Sequence, residues 1–156
     1  MDQTAFYNAL NEFERLPGCI DRLTADAFKS VLQSEAAHRA QKIVYVWRSE
    51  RAFPRLKGES DIIYIGQTST SLARRYAMRH KWISTKANAH KYGHIIQEFG
   101  PITISVCDFQ RFGSSLLQAE GQLLWWYFRN HCEYPPLNYS KTKVRTDMVL
   151  MEEELS

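Results

Sequence analysis

The spacing of apolar residues changes period along the chain, and the order of these changes constrains the fold more than any other feature. Residues 43–47, 61–66 and 102–106 are β-branched and aromatic runs that are typical of strands, whereas helical spacing dominates elsewhere. Strands that follow each other in sequence usually pair in antiparallel fashion. The order therefore predicts a small α+β fold in which a three-stranded, largely antiparallel sheet is flanked by helices.

Helices are expected before, between and after these strands. The first 41 residues are predicted to form two amphipathic helices. The first follows the apolar spacing of Ala5, Leu10, Phe13 and Leu16 and is closed by Pro17-Gly18, and Thr24 is in position to cap the second. Serine N-caps, a Gly-Pro pair and a Pro-Pro pair mark the ends of the others. These helices are expected from Ser71 to about Ile83, over residues 88–99, and from Ser114 or Ser115 to about His131.

The length of the sequence indicates one compact domain. With 156 residues the chain is long enough to bury a core without disulfides or metals. Within it we distinguish a helical N-terminal extension (1–41), a core segment (42–140) and a C-terminal tail (141–156). Residues 48–60 are highly charged and contain a proline and a glycine, so they are predicted to form a loop between the first two strands.

Composition narrows the class of protein. Hydrophobic residues make up 44% and charged residues 24% of the chain, as in ordinary globular proteins. The three cysteines are distant from one another and form no C-x-x-C pair, which argues against a zinc site or a disulfide framework. The sequence shows no secretory signal and no apolar run long enough for a membrane span. We therefore expect a cytoplasmic protein that acts without a membrane.

Positive charge is concentrated in the middle of the chain, although the net charge is only +3. Between Asp61 and Glu98 there is no acidic residue. Such a one-sign block is typical either of a surface that meets phosphates or of a solvated helical face. Arg75 and Arg79 are four residues apart, so on a helix they share a face, and a phosphate between them would relieve their repulsion. The basic residues of the block are Arg74, Arg75, Arg79, Lys81, Lys86 and Lys91.

Glu120 occupies an unusual position in the last predicted helix. Apolar residues at helical spacing define one buried stripe, and Glu120 falls in the middle of it. A carboxylate on an apolar face is costly unless a cation, a metal or a hydrogen bond meets it. Glu120 is therefore either a metal ligand in a cleft or the partner of a buried arginine. The stripe consists of Leu116, Leu117, Leu123, Leu124, Tyr127 and Phe128.

Two tyrosine-bearing segments lie in the first two predicted strands, and an arginine, a glutamate and an asparagine follow them in order. Together these motifs resemble the GIY-YIG nuclease family over about residues 43–140. The first segment keeps its tyrosine but has Ile43 in place of glycine, and residues 48–60 are an insertion relative to the family. The matching segments are Ile43-Val44-Tyr45, Tyr64-Ile65-Gly66, Leu72-Ala73-Arg74-Arg75-Tyr76 with His80, Ala119-Glu120, and Leu137-Asn138-Tyr139.

The resemblance implies an endonuclease that hydrolyses DNA phosphodiester bonds with one divalent metal ion, Mg²⁺ or Mn²⁺. It implies that Glu120 holds the metal and that Arg75, which precedes an aromatic residue as the family's arginine often does, stabilises the scissile phosphate. Tyr45 is then the expected general base. The remaining catalytic candidates are Tyr64 to orient water or phosphate, His80 for proton transfer and Asn138 for positioning. Contacts to DNA are expected from Lys57, Arg74, Arg79, Lys81 and Lys86.

Other classes of function are compatible with the same residues. In a purely structural protein, Tyr45 and Tyr64 are ordinary sheet aromatics and Glu120 is a salt-bridge partner. A nucleic-acid-binding module without catalysis is a further alternative. Among nucleases, the small size favours a restriction, phage-defence or mobile-element enzyme over a structure-selective DNA repair nuclease, and a homodimer is compatible with either. Sequence recognition is expected from residues 48–60 and the N-terminal helices.

Overall fold

A computed structural model describes residues 3–78 and 85–138 of the chain. These residues form the strands β1 (Glu14–Arg15), β2 (Gln41–Pro54), β3 (Glu59–Ser71) and β4 (Ile102–Asp108). The sheet order is β1-β4-β2-β3, and every pair of neighbouring strands is antiparallel. The helices are α1 (Gln3–Leu10), α2 (Ala25–Leu32), α3 (Glu35–Arg39), α4 (Leu72–Arg75), α5 (Lys86–Phe99) and α6 (Leu116–His131).

The expected α+β class and antiparallel pairing are confirmed, but the sheet has four strands instead of three. The additional strand β1 lies where the apolar spacing predicts a continuation of the first helix. α1 instead ends at Leu10, and Glu14 and Arg15 pair with β4. Phe13 and Leu16 then contribute to different cores, one on each side of the sheet. A spacing of three residues fits both one helical face and two opposite strand faces, so the pattern alone was ambiguous.

Residues 48–60 form a β-hairpin extension, and the prediction of a connecting loop is wrong. β2 and β3 continue through this region and are joined by residues 55–58, in which Gly58 has a φ of 69°. Phe53 pairs with Ser60 across the ladder, and both side chains are buried. The charged side chains lie mostly at exposed strand positions, which explains why the composition of the segment is typical of a loop.

The helix that follows β3 is much shorter than predicted. The Oγ atom of Ser71 accepts a hydrogen bond from the Arg74 N–H at 3.1 Å and caps α4. The helix ends at Arg75, and Tyr76 turns its side chain into the core. One continuous helix beginning at Ser71 is therefore excluded. Three predicted site residues of this stretch lie outside the described residues, namely Arg79, His80 and Lys81.

The predicted caps of two other helices are confirmed. The Oγ1 atom of Thr24 accepts a hydrogen bond from the backbone of α2, and Ser115 caps α6 in the same way. α5 ends at Gly100, whose φ of 86° lies in the left-handed region that favours glycine. These short-range signals were readable because each cap depends on one side chain and its immediate neighbours.

The buried side of α6 differs in part from the predicted stripe. Leu123, Leu124 and Tyr127 are buried as expected, whereas Leu117 is 42% exposed. The continuous burial of the helix therefore begins near Ala119 and not at its first residues. Glu120 consequently lies close to the uncovered end of the helix.

The sheet separates two apolar cores. Side chains alternate along β2, so that Tyr45 and Trp47 belong to the core under α2, α4 and α5, while Val44 and Val46 belong to the core under α1 and α6. The first 41 residues contribute to both cores. Tyr45, the motif tyrosine of β2, therefore lies on the side of the sheet that α4 covers.

The described cysteines carry no disulfide, and Cys107 packs into the second core. Cys19 is partly exposed and Cys132 is exposed. Within residues 3–78 and 85–138, we find no helix that combines the length and the hydropathy required to cross a membrane.

Candidate active site

The paired strands β2 and β3 bring the two motif tyrosines together. Tyr45 lies directly across the ladder from Gly66, and the ring centroids of Tyr45 and Tyr64 are 6.1 Å apart. Both rings fill the space beside Gly66, where an added Cβ atom would lie 2.7 Å from Tyr45 Cζ and 2.7 Å from Tyr64 Cε1. Because a real side chain cannot approach so closely, glycine at this position allows the two tyrosines to pack together.

α4 adds an arginine and a third tyrosine to this pair. The hydroxyl of Tyr76 lies 3.0 Å from that of Tyr45, and both side chains are buried. Arg75 is exposed, and its guanidinium interacts with the Tyr45 hydroxyl. Burial alone would lower the pKa of Arg75, but its attraction to the tyrosines raises the pKa overall. Arg75 is thus a fixed positive charge at the edge of the tyrosine cluster.

Burial sets the protonation state of the two motif tyrosines. It raises the pKa of Tyr45, and the hydrogen bond to Tyr76 and the charge of Arg75 reverse this only in part. Burial also raises the pKa of Tyr64, and the nearby Tyr45 and Glu120 raise it further. Both side chains are therefore neutral phenols at neutral pH in the protein alone.

Exposure distinguishes the two tyrosines from each other. Tyr45 is completely buried, whereas Tyr64 is only partly buried. A general base must contact the water from which it takes a proton. In this arrangement Tyr64 is accessible to solvent and Tyr45 is not.

Glu120 reaches the same cluster from α6, one turn before the buried pair Leu123 and Leu124. The Glu120 side chain is partly buried, and its charge raises the pKa of both Tyr45 and Tyr64. A carboxylate, a guanidinium and two phenols from different elements therefore lie within electrostatic reach of one another. Such a set of groups can bind an anion beside a cation.

The small number of carboxylates in the cluster limits which metal ions it can bind. In the described part of the chain, no group of three or more His, Cys, Asp or Glu side chains is placed to hold a metal ion. A structural zinc site needs four such ligands, so the cluster does not fit one. Mg²⁺ keeps several of its waters and takes substrate phosphate as a ligand, so one or two carboxylates are enough. The chemistry of Glu120 therefore fits Mg²⁺ or Mn²⁺ bound together with a phosphate.

Asn138 holds the outer edge of β3. Its Oδ1 atom accepts a hydrogen bond from the Ile65 N–H at 2.9 Å, and its Nδ2 atom donates one to the Ile65 carbonyl at 2.9 Å. The preceding Leu137 donates its N–H to the Ile63 carbonyl at 2.9 Å. Asn138 thus pairs with the backbone next to Tyr64 and fixes the position of this strand.

Lys57 lies far from the tyrosine cluster. The hairpin tip docks on the C-terminal end of α6, where the Lys57 N–H donates to the His131 carbonyl at 3.2 Å and the Leu56 N–H donates to Glu133 Oε1 at 2.7 Å. At about 1.5 Å per residue, His131 is about 16 Å along the helix from Glu120. The tip is therefore at the opposite end of α6 from the carboxylate.

The other predicted DNA contacts within the described residues lie on the surface. Arg74 is exposed on α4, and Lys86 is the exposed first residue of α5. Sequence reasoning missed Tyr76 as a member of the cluster and used it only as the aromatic neighbour of Arg75. The position of Tyr76 directly after Arg75 was the available signal, because a residue that ends a one-turn helix lies close in space to the charged side chains of that helix.

The chain was compared with protein-family models, with curated proteins and with solved structures, and none of them matches it. A function is therefore argued from the side chains of the cluster and their chemistry.

Proposed function

We propose that the protein is a metal-dependent endonuclease that hydrolyses phosphodiester bonds in DNA. The observation that carries the proposal is the convergence of Tyr64, Arg75 and Glu120, which come from the three elements β3, α4 and α6. Phosphodiester hydrolysis needs a group that neutralises phosphate charge, a group that orients water and a carboxylate that holds a cation. The three side chains supply one of each.

Arg75 and Tyr64 are the residues proposed to touch the reacting atoms. The exposed guanidinium of Arg75 offers fork-like donors to a phosphate, and it can stabilise the additional negative charge that develops on the phosphate oxygens. Tyr64 is partly exposed, and its hydroxyl can hold a water beside that phosphate. Burial and neighbouring negative charge raise the pKa of Tyr64, so it orients the water as a neutral group unless a bound cation lowers that pKa.

Tyr45, expected from the sequence to be the general base, is better suited to a positioning role. Its buried hydroxyl contacts Tyr76 and Arg75, which leaves no route to a solvent water. By holding the Arg75 guanidinium, it restricts the directions from which that side chain can meet a phosphate. Asn138 is proposed to act further away, by fixing β3 through Ile65.

A divalent cation, Mg²⁺ or Mn²⁺, is part of the proposal. Glu120 would hold it, because it is the carboxylate that interacts with both motif tyrosines. When bound, such an ion neutralises phosphate charge and makes water more acidic. The partial burial of Glu120 strengthens its attraction for a cation over that of a fully exposed carboxylate.

The biological setting proposed for this activity is a compact restriction, phage-defence or mobile-element nuclease. Within the described residues, the arginine-bearing end of α4 and the exposed positions of α5 offer a compact surface for contacts outside the cluster. A structure-selective DNA repair nuclease is the alternative. The two settings differ in whether cleavage follows a sequence or a DNA shape.

The experiment that tests the proposal is a cleavage assay on supercoiled plasmid DNA across separate titrations of Mg²⁺ and Mn²⁺. We expect nicked and linear products that require metal. Glu120→Gln should keep the fold and DNA binding but lose cleavage, because Gln preserves the shape of the side chain and removes its charge. Glu12→Gln is the matched control, since it removes an exposed carboxylate that pairs with Arg111.

Each failure of this experiment points to a different alternative. DNA binding without cleavage by the parent protein would indicate a binding module. Neither binding nor cleavage would indicate a structural protein. If Glu120→Gln unfolds while Glu12→Gln does not, Glu120 is the buried ion-pair partner that the sequence also allowed.

A further inference from the structure

The outward face of α5 carries a row of polar residues that the proposed cleavage chemistry does not use. Tyr92 and Ile95 bury the inner side of the helix in the core beneath it. On the outer side, polar residues recur at helical spacing and share one face. This α5 face consists of Lys86, His90, Gly93, His94 and Gln97, and its four side chains are exposed.

Gly93 is the most informative residue of the α5 face. Glycine inside a helix lowers stability relative to alanine, so it usually has a reason. At Gly66 the reason is the packing of two tyrosines, and at Gly100 it is a φ of 86°. At Gly93 neither applies, since φ is not left-handed and, apart from its chain neighbours and the backbone of its own helix, no atom of residues 3–78 or 85–138 lies within 4 Å of a Cβ built there. A glycine in such open space is suited to the close approach of another molecule.

α5 lies beside the candidate active site. Its buried Tyr92 has its ring centroid 5.9 Å from that of Trp47 and interacts electrostatically with Tyr76 of the tyrosine cluster. On the outer side, His94 lines a cleft of about 260 Å³ together with Ile63, the residue before Tyr64. The α5 face is therefore adjacent to the edge of β3 that carries Tyr64.

The charge and chemistry of the α5 face fit duplex DNA. No acidic residue occurs from position 62 to position 97, so nothing on this row repels phosphate. Histidine and glutamine both donate and accept hydrogen bonds, which suits them to base edges. Lys86 supplies a positive charge at the start of the helix for a phosphate. The major groove is wide enough for an α-helix, and the 14 residues of α5 extend over about 21 Å.

We propose that the α5 face enters the major groove of duplex DNA and supplies the sequence-selective contacts of this protein. His94 and Gln97 read base edges, His90 and Lys86 meet the backbone, and Gly93 lets the groove wall approach the helix. This inference rests on the proposed action on DNA and replaces the hairpin of residues 48–60 as the recognition element, because the tip of that hairpin is bound to the end of α6.

Gly93→Ala separates a recognition role from a structural one. The change should raise the melting temperature by about 2–4 °C, because alanine favours the helix and nothing in the described structure blocks it. It should nevertheless weaken binding to a random-sequence duplex pool about tenfold, measured by fluorescence anisotropy without metal. Asn8→Ala, an exposed change on the opposite side of the sheet, is the control and should leave DNA affinity unaltered.

Sequence reading is tested by selecting bound duplexes from the same pool and sequencing them. The parent should enrich a motif, and His94→Ala with Gln97→Ala should lose preference at particular positions of that motif while retaining general affinity. The proposal would be overturned if the parent and the double variant enriched the same motif. It would also be overturned if Gly93→Ala bound DNA as tightly as the parent does. Because these assays measure binding without metal, an absence of cleavage would defeat the nuclease proposal and leave the α5 face standing.

Discussion

At the scale of single residues, the motif tyrosines have different surroundings although the sequence presents them alike. Tyr45 is buried against Tyr76 and Arg75, whereas Tyr64 reaches solvent. The burial of each tyrosine depends on which side chains of α4 and α6 pack against it, so the pattern of residues within the strands cannot reveal it. The sequence was sufficient to select Tyr45, Tyr64, Arg75 and Glu120 as candidates, but it was not sufficient to divide the roles among them.

A double-mutant cycle tests the division of roles between the tyrosines. Tyr64→Phe should lower the cleavage rate by about 10²–10³-fold, as expected for loss of a hydroxyl that orients the attacking water. Tyr45→Phe should lower it less, and this loss should nearly vanish in an Arg75→Ala background, because Tyr45 acts through Arg75. Single-turnover cleavage of a plasmid measures all five proteins, namely the parent, the three single variants and the double variant. Additive effects of Tyr45→Phe and Arg75→Ala would show that Tyr45 contributes independently of the arginine.

Gly66 is the residue on which the arrangement of both tyrosines depends. Gly66→Ala places a methyl group 2.7 Å from Tyr45 Cζ and Tyr64 Cε1, so at least one ring must move. Such overpacking costs about 1–3 kcal/mol. We expect urea denaturation to show this loss, together with slower cleavage. A variant as stable and active as the parent would mean that the rings are not held against Gly66.

At the scale of secondary-structure elements, the errors of prediction have a common cause. β1 consists of two charged residues whose partners in β4 are distant in sequence, and the extension of β2 and β3 is rich in charged residues and contains a proline. Local composition reports on solvent exposure, and exposed strand edges resemble loops or helices in this respect. Elements marked by a cap, such as α2 and α6, were predictable because a cap is a local interaction.

A buried histidine joins three elements at the end of the sheet away from the tyrosine cluster. His131 of α6 has its Nε2 atom 2.8 Å from the Tyr7 hydroxyl of α1 and its Nδ1 atom 2.9 Å from the Lys57 carbonyl of the hairpin tip. The Nδ1–H donates to the Lys57 carbonyl, and the Tyr7 hydroxyl, which donates to Ser60 Oγ at 2.7 Å, also contacts Nε2. Burial lowers the pKa of His131 below its usual value of 6.5. The junction therefore depends on a neutral imidazole.

The stability of the protein should depend on pH through His131. Below about pH 6.5 the unfolded chain gains a proton at this position that the folded chain resists, so stability is complete above that pH and falls as the pH decreases. Urea denaturation at pH 7.5 and pH 5.5 should show the loss, and His131→Asn should reduce the difference between the two. His38→Asn, on the exposed surface of α3, should keep the parental dependence. Equal pH dependence in all three proteins would contradict a neutral His131 junction.

At the scale of the whole molecule, the order of the helices and strands could be predicted from the sequence, but the contacts between elements distant in sequence could not. The sequence indicated an α+β fold, antiparallel pairing and a helix bearing Glu120, and each of these predictions depends on the spacing of apolar residues along the chain. It did not indicate that the hairpin tip docks on α6 or that Asn138 pairs with β3, because both contacts join residues more than 70 positions apart. The sequence led us to expect recognition from residues 48–60 and the N-terminal helices, whereas we propose that α5 supplies it.

We propose that Arg75, held by Tyr45, acts on the phosphodiester that is cleaved. Single-turnover cleavage, with DNA affinity measured in parallel, tests this role, and the neighbouring Arg74 is the matched position. Arg75→Ala should lower the cleavage rate by about 10²–10³-fold with a small change in affinity. Arg74→Ala should mainly weaken binding and make it less dependent on salt. The reverse pattern, or equal effects of the two substitutions on the rate, would show that Arg75 does not act on the scissile phosphate.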